Sequence, residues 1–404
     1  MVLPRSKRMS SIRRYNFPTR ILVGLDARKE VIPALRERKL SRPLIVTDRV
    51  LAKLPVLQDY ALLLREAGLQ VAVYSEIWGN PVKSQVTAGV EAFRAHQADA
   101  VIAFGGGAAM DVAKVIALMI HHPGDIFDYE DGIPNGRPVD QPIPLIVTIP
   151  TTAGTGSEVG RSSVISDEED HRKRIIFDPR LLPSLTLLDP EVTLALPASI
   201  TASTGIDALT HLVEAYLAKG HHPLCDGIAL EGIHLVSQFL APCVHFAQRI
   251  GQGETLSQAD HARHIEARER MLEAAMMGAV AFQKGLGLTH SCAHALSTVC
   301  DMHHGLANAL MIAPCMEFNA PAVPERFARM AQAAGLDNPS ATTFIAWLRK
   351  LNQEIGIPSK LAAVGVTPEH LEPLVKWATV DVCHPLGPRT VTPDDFRALY
   401  QAAL

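Results

Sequence analysis

AVIAFGGGAAMDVAKVIA, residues 100–117, is the stretch on which the fold turns. Ala100–Phe104 is an unbroken apolar run, the pattern of a strand covered on both faces of a sheet. Three glycines follow, and an Ala- and Val-rich helical run begins directly after them. Glycines let a backbone approach a phosphate closely, and the first N–H groups of a helix are unpaired and carry partial positive charge. The triplet is not G-x-G-x-x-G, so from these residues alone a phosphate seat and a plain strand–helix turn both stay open.

The same alternation extends outward. Arg20–Val23, Pro43–Thr47, Val71–Tyr74 and Pro144–Thr148 read as further strands, with helical segments such as Leu57–Ala67 and Lys83–His96 between them. Strand–helix alternation predicts an α/β domain with a parallel sheet. A second Gly/Thr-rich loop, TIPTTAGTGSE over Thr148–Glu158, follows a strand but has no Lys, so it is not a Walker A loop. Ligands of open α/β sheets bind beyond the carboxyl ends of the strands, and two such loops there are harder to dismiss as plain turns. Asp48 closes the strand PLIVTD. A carboxylate at that place either accepts hydrogen bonds from a ribose and repels a 2′-phosphate, favouring NAD over NADP, or is a plain turn Asp.

A Pro- and Thr-rich passage over 188–204 separates this half from one that is nearly all helical: Gly205–Ala218, Cys225–Leu240, Ala262–Ala281 and Leu288–Val299. The boundary is expected within Glu191–Thr193, giving an α/β dinucleotide-binding domain over 1–192 and an all-helical domain over 193–404. The helical half carries the histidines of interest. Asp207 and His211 are four apart and share a helix face, as do His290 and His294; His303 and His304 follow across a turn. One carboxylate and three imidazoles around a divalent cation suit a Lewis-acid site that stabilises an alkoxide. Imidazole suits both Fe²⁺ and Zn²⁺. The remaining candidates, His121, His122, His221, His222, His261 and His264, flank Pro or sit among charges and are expected on the surface.

The 38 Lys plus Arg balance 42 Asp plus Glu, with no long basic run, which argues against a nucleic-acid partner. No stretch approaches the roughly 20 uninterrupted apolar residues that span a bilayer. The basic start, Met1–Arg14, lacks an apolar secretory core and is expected to be a solvated arm, a mitochondrial presequence being the alternative. The six cysteines form no C-x-x-C pair, which predicts buried thiols in a reducing, cytoplasmic setting.

Taken together, FGGGAAMDVAK, IPTTAGTGSEV, TGIDALTHLVEAY, GLGLTHSCAHAL and HHGLANAL stand in an order that resembles the iron-dependent (group III) alcohol dehydrogenase family, which shares the dehydroquinate synthase-like fold. The resemblance runs from about Phe17 to the C-terminus. It implies Fe²⁺ held by Asp207, His211, His290 and His304, the last chosen over His303 by its separation from His290. It implies His294 as a non-ligand histidine beside metal and nicotinamide, a candidate catalytic proton relay. It implies NAD bound along Asp48, Asn80, Gly106, Gly107, Asp111, Thr151, Thr152, Thr155 and Lys173. It also implies a homodimer or larger homo-oligomer acting on a small alcohol. Two departures stand out. Ala108 replaces the Ser usual after the glycines, and ALSTVCDM replaces a common Pro-Leu-Gly segment.

The expected activity is hydride transfer between a small primary alcohol or hydroxy acid and NAD. A dehydroquinate synthase-like lyase and a non-catalytic sensor are the alternatives. The lyase usually carries several Lys and Arg for a phosphate-bearing substrate, and few basic residues surround this histidine set. Leu286, Ser162, Cys383 and Lys284 are the expected substrate contacts. Lys284 reads either as a cation for the carboxylate of a hydroxy acid or as a surface Lys at a helix end. AFQKGLGLTH with VDVCH is similar to family members that oxidise 4-hydroxybutyrate.

Overall fold

The computed structural model describes residues 19–170 and 172–404. The basic N-terminal arm expected at Met1–Arg14 lies outside them. Among the described residues eight strands are formed: β1 (Arg20–Val23), β2 (Pro43–Val46), β3 (Ala72–Tyr74), β4 (Ala100–Gly105), β5 (Leu145–Pro150), β6 (Ser162–Ser166), β7 (Lys173–Phe177) and β8 (Leu185–Leu188). Six make one sheet in the order β1-β8-β5-β4-β2-β3, every neighbouring pair parallel. β6 and β7 form a separate antiparallel hairpin. Strand order reverses between β2 and β4, so Asp48 and the triple glycine leave the sheet on either side of the switch point, where open α/β sheets bind ligands.

α1 (Val31–Glu37), α2 (Pro55–Glu66), α3 (Lys83–His96) and α4 (Gly107–Met119) belong to this half. Side chains alternate along β4. Val101 and Ala103 enter the core shared with α3 and α4, whereas Ile102 and Phe104 enter the one shared with α1 and α2. Both faces are dry, which is why β4 reads as a continuous apolar run. Two features escape that reading. β8, LTLL, fills the place between β1 and β5 but is only four residues long. The β6–β7 hairpin carries Ser, Lys and Arg.

The second half is helical: α5 (Ala198–Leu217), α6 (Pro223–Gly251), α7 (Gln258–Ala281), α8 (Leu288–Cys300), α9 (His304–Asn319), α10 (Pro324–Ala333), α11 (Ala341–Glu354), α12 (Leu371–Thr379) and α13 (Pro393–Ala403). α5 is the hub, buried at every position from Thr201 to Leu217. α6 is long and apolar enough by composition to cross a bilayer, yet it packs on α5, where a Cβ on Gly232 would come within 2.3 Å of Leu212.

The bland reading of two histidines is corrected. His122 is buried, its ring between the Leu118 carbonyl and the Gln141 N–H. His264 is fully buried and accepts from Arg268 Nε at 3.0 Å; burial pushes it down to about 4. All six cysteines are free and five are buried.

Candidate active site

α5 supplies Asp207, His211 and Glu214, at i, i+4 and i+7, so all three share one face. α8 supplies His290 and His294, and α9 opens on His304. The turn between α8 and α9 passes through Asp301 in the left-handed region, φ 48°, a conformation Asp tolerates better than most residues. Ligand atoms of Asp207, His211, His290 and His304 lie within 4.8 Å of one another. The Nε2 atoms of His304, His211 and His290 stand 3.3, 3.9 and 3.9 Å from Asp207 Oδ1. His303, by contrast, is the residue before α9.

Burial lowers His211 and His290 and pushes His304 down to about 4, so the imidazoles are neutral near pH 7, as metal ligands must be. Burial opposes the Asp207 charge, but His211 and His304 outweigh it and hold the carboxyl well below the usual range. Asn308 Nδ2 donates to Asp207 Oδ1 at 2.7 Å. His290 Nε2 is buried without a hydrogen-bond partner. A hard carboxylate, three neutral imidazoles and that unpartnered lone pair fit a divalent cation.

Two carboxylates beside this cluster were not picked out in the sequence. Glu214 Oε2 accepts from His290 Nδ1 at 2.7 Å. Asp381 Oδ2 accepts from His294 Nδ1 at 2.8 Å, while its Oδ1 takes the Ser291 hydroxyl at 2.6 Å and the Cys383 N–H at 2.9 Å. Burial opposes the Asp381 charge, yet these donors hold it well below the usual carboxylate range. The His294 ring stacks on His304, with centroids 5.3 Å apart. Cys383 is buried with its thiol in the His294–Asp381 group. Leu286 lies in the turn before α8, half-buried.

On the sheet side, Gly106 precedes α4 with no side-chain cap, leaving first-turn N–H groups available. A Cβ on Gly107 would come within 2.7 Å of Thr155 Cγ2, and one on Gly106 within 3.4 Å of Thr152 Oγ1. The two Gly/Thr loops therefore face each other, and the Thr151 N–H donates to the Gly105 carbonyl at 3.0 Å. The second loop also reaches the helical half. At Gly156, φ 65°, a Cβ would lie 2.2 Å from that of Ala279 on α7. Asp48 Oδ1 accepts from the Val50 and Leu51 N–H groups at the end of β2. Asn80 Nδ2 lies 3.5 Å from Asp301 Oδ1, and Asp301 also faces the ammonium of Lys173, which burial lowers.

Two of the expected contacts, Asp111 and Lys284, have their polar atoms engaged inside the protein. Both Asp111 oxygens are engaged inside the protein, by the Ser157 hydroxyl at 2.6 Å and the Val164 N–H at 2.9 Å. Lys114, within the stretch quoted first, is fully buried and donates to Ser157 Oγ at 2.7 Å and to the Ser162 carbonyl. Ser162 thus anchors the hairpin to α4 through its backbone. Lys284 fits neither reading. Its side chain is 2 % exposed, and its ammonium donates to Asp226 Oδ1 at 2.6 Å and to the Tyr216 carbonyl at 2.9 Å. Arg326 donates to the same carbonyl and lies 3.1 Å from the same carboxylate oxygen. The two cations close the C-terminal end of α5, where carbonyls lack intrahelical donors.

Two Gly/Thr loops at a sheet switch point together with a carboxylate–imidazole cluster fit an oxidoreductase that acts on CH–OH donors, and the relatives bear that class out. The iron-containing alcohol dehydrogenase profile matches residues 18–190, and the profile of that family's C-terminal region matches 201–404. The chain belongs to the iron-containing alcohol dehydrogenase family. It is 36 % identical to an NAD-dependent methanol dehydrogenase of Bacillus methanolicus, over 96 % of this chain and 98 % of that one. It is 34 % identical to a 4-hydroxybutyrate dehydrogenase of Cupriavidus necator, over 90 % and 93 %. The crystal structure of a 1,3-propanediol oxidoreductase superposes with a TM-score of 0.88 at 33 % identity, over 97 % of this chain and all of the other.

Proposed function

We propose that this enzyme is an NAD-dependent, Fe²⁺-dependent alcohol dehydrogenase for small, uncharged primary alcohols. The observation that carries the reading is the convergence of three imidazole Nε2 atoms on Asp207 Oδ1. Asp207, His211, His290 and His304 would hold the cation, which when bound polarises the alcohol oxygen and favours the alkoxide. Gly106, Gly107, Thr152 and Thr155 would seat the pyrophosphate of NAD, whose nicotinamide accepts the hydride. Zn²⁺ remains the alternative cation, since the donor set suits both.

The chain's own residues handle the proton. Asp381 holds the Nδ1–H of His294, which leaves Nε2 as the acceptor. His294 is about one-third exposed, so it can pass the proton on to water. With NAD⁺ bound, the reaction would balance as alcohol and NAD⁺ giving aldehyde, NADH and one proton, which His294 would take up and pass to water.

An uncharged substrate is favoured because Lys284, the cation offered for a hydroxy acid, is committed to Asp226. Buried free thiols fit a cytoplasmic setting, and assembly as a homo-oligomer completes the proposal. The test is NADH formation from methanol, ethanol, 1-butanol, 1,3-propanediol and 4-hydroxybutyrate, with protein loaded with Fe²⁺ under anaerobic conditions. Turnover led by the acid would overturn the substrate class.

A further inference from the structure

Glu214 is fully enclosed, seven residues after Asp207 and three after His211 on α5. Its carboxylate is not one of the four groups whose ligand atoms lie within 4.8 Å of one another. It receives four donors from the start of α8: the N–H of Gly287 at 2.9 Å, of Thr289 at 2.6 Å and of His290 at 3.3 Å, and the His290 ring Nδ1 at 2.7 Å. The first N–H groups of a helix have no intrahelical partner, and a negative charge is favoured there. One buried anion therefore fixes where α8 starts and how the first imidazole on it is turned. Gly287 makes this approach possible, since a Cβ there would stand 3.0 Å from Glu214 Oε1.

The ring consequence is specific. A carboxylate only accepts, so Nδ1 must carry the imidazole hydrogen. Nε2 then keeps its lone pair, and it is the Nε2 atom that lies unpartnered, 3.9 Å from Asp207 Oδ1. Metal-ligating histidines depend on such outer partners for tautomer and orientation.

We infer that Glu214 is a positioning residue that sets the tautomer and orientation of His290 for the cation, coupling the α5 half of the ligand set to the α8 half. The inference rests on the metal-site reading above. Removing the side chain altogether would free the α8 terminus and risk the fold, so the informative change is Glu214→Gln. It keeps the volume but leaves one acceptor oxygen and places an NH₂ against the other donors.

Co²⁺ serves as the probe, followed by its visible absorption and by competition with a chromogenic chelator, and NAD affinity is measured in parallel. The parent chain is expected to bind one Co²⁺. Glu214→Gln should bind it about 10–100-fold more weakly with an altered spectrum, while NAD affinity and helical circular dichroism stay unchanged. An unchanged Co²⁺ affinity, or a parallel loss of Co²⁺ affinity, NAD affinity and helicity, would overturn the role of Glu214. Failure of the parent chain to bind Co²⁺ would overturn the metal-site reading itself. A measurement without substitution stands beside it. In the full chain labelled with ¹⁵N-histidine, before metal is added, His290 should show the Nδ1–H tautomer; an Nε2–H tautomer refutes the inference.

Discussion

Lys284→Met separates a structural lysine from a substrate-binding one. The methionine keeps most of the stem and removes only the ammonium. What is lost is a charge-assisted hydrogen bond to Asp226 at 2.6 Å and one to the Tyr216 carbonyl at 2.9 Å. Truncating one side of a fully buried pair costs about 3–5 kcal/mol, because the other charge is left alone. Here neither acceptor is orphaned. Arg326 still reaches both, and Asp226 keeps 22 % of its side-chain surface in water. The expected loss is therefore about 2 kcal/mol, near one charge-assisted hydrogen bond of roughly 1.5–3 kcal/mol. With a slope of about 3 kcal/mol/M, that lowers the urea midpoint by roughly 0.5–1 M. The paired assay is kcat/KM for 1-butanol and for 4-hydroxybutyrate, which should change by the same factor. A chain that unfolds like the parent but loses about ten- to a hundred-fold on the acid alone would refute the structural assignment.

Asp381→Asn replaces the acceptor that holds His294 Nδ1–H. It should lower kcat by about 10²–10³, within the range for a general base, with metal content and the KM for NAD unchanged; equal kcat would exclude His294 as the relay. Asp48→Asn preserves the oxygen that accepts from Val50 and Leu51 but removes the charge. The NADP-to-NAD ratio of kcat/KM should rise about tenfold, from relief of roughly 1.4 kcal/mol of repulsion, and an unchanged ratio would place Asp48 away from the ribose. Glu158 is buried and pushed up to about 7 by burial, from an ordinary 4.5. The folded chain then holds a proton that the unfolded chain releases, so this group's contribution to stability falls as pH rises from 4.5 to 7. Glu158→Gln should match the parent below that window and exceed it above pH 7 by up to roughly 3 kcal/mol, at about 1.4 kcal/mol per pH unit. Denaturation midpoints at pH 5 and 8 check this, and the same gain at both would contradict it.

The sheet was readable where strands are buried on both faces, because β2, β4 and β5 then show as apolar runs between helices. β8 is equally buried, but its four residues end directly before Asp189–Pro190, too short a run to stand out as a strand. In the site, Asp207 with His211 and His290 with His294 were visible because helical spacing of four leaves a local trace. Glu214 and Asp381 left none that could be decoded, since their histidine partners lie 76 and 87 residues away. Lys284 and His264 misled for one reason. Each is a polar residue whose burial is made tolerable only in the folded chain, which supplies Asp226 to Lys284 and Arg268 to His264. Asp111 stands in the cofactor set by resemblance alone, and the internal bonds of its two oxygens to Ser157 and the β6 backbone leave no trace in the local sequence.

The central claim is that the histidine cluster and the glycine loops serve one hydride transfer. The direct measurement uses 1,1-dideuterated 1-butanol and NAD⁺, with metal-free protein and with protein carrying one Fe²⁺ per chain under anaerobic conditions. Nuclear magnetic resonance of the nicotinamide follows the label. The account predicts deuterium at C4 of the reduced cofactor, formed with Fe²⁺ present, abolished by chelation and by His290→Ala, and restored to the parent chain by Fe²⁺. Equal transfer by metal-free protein, or reduced cofactor without deuterium, would contradict it.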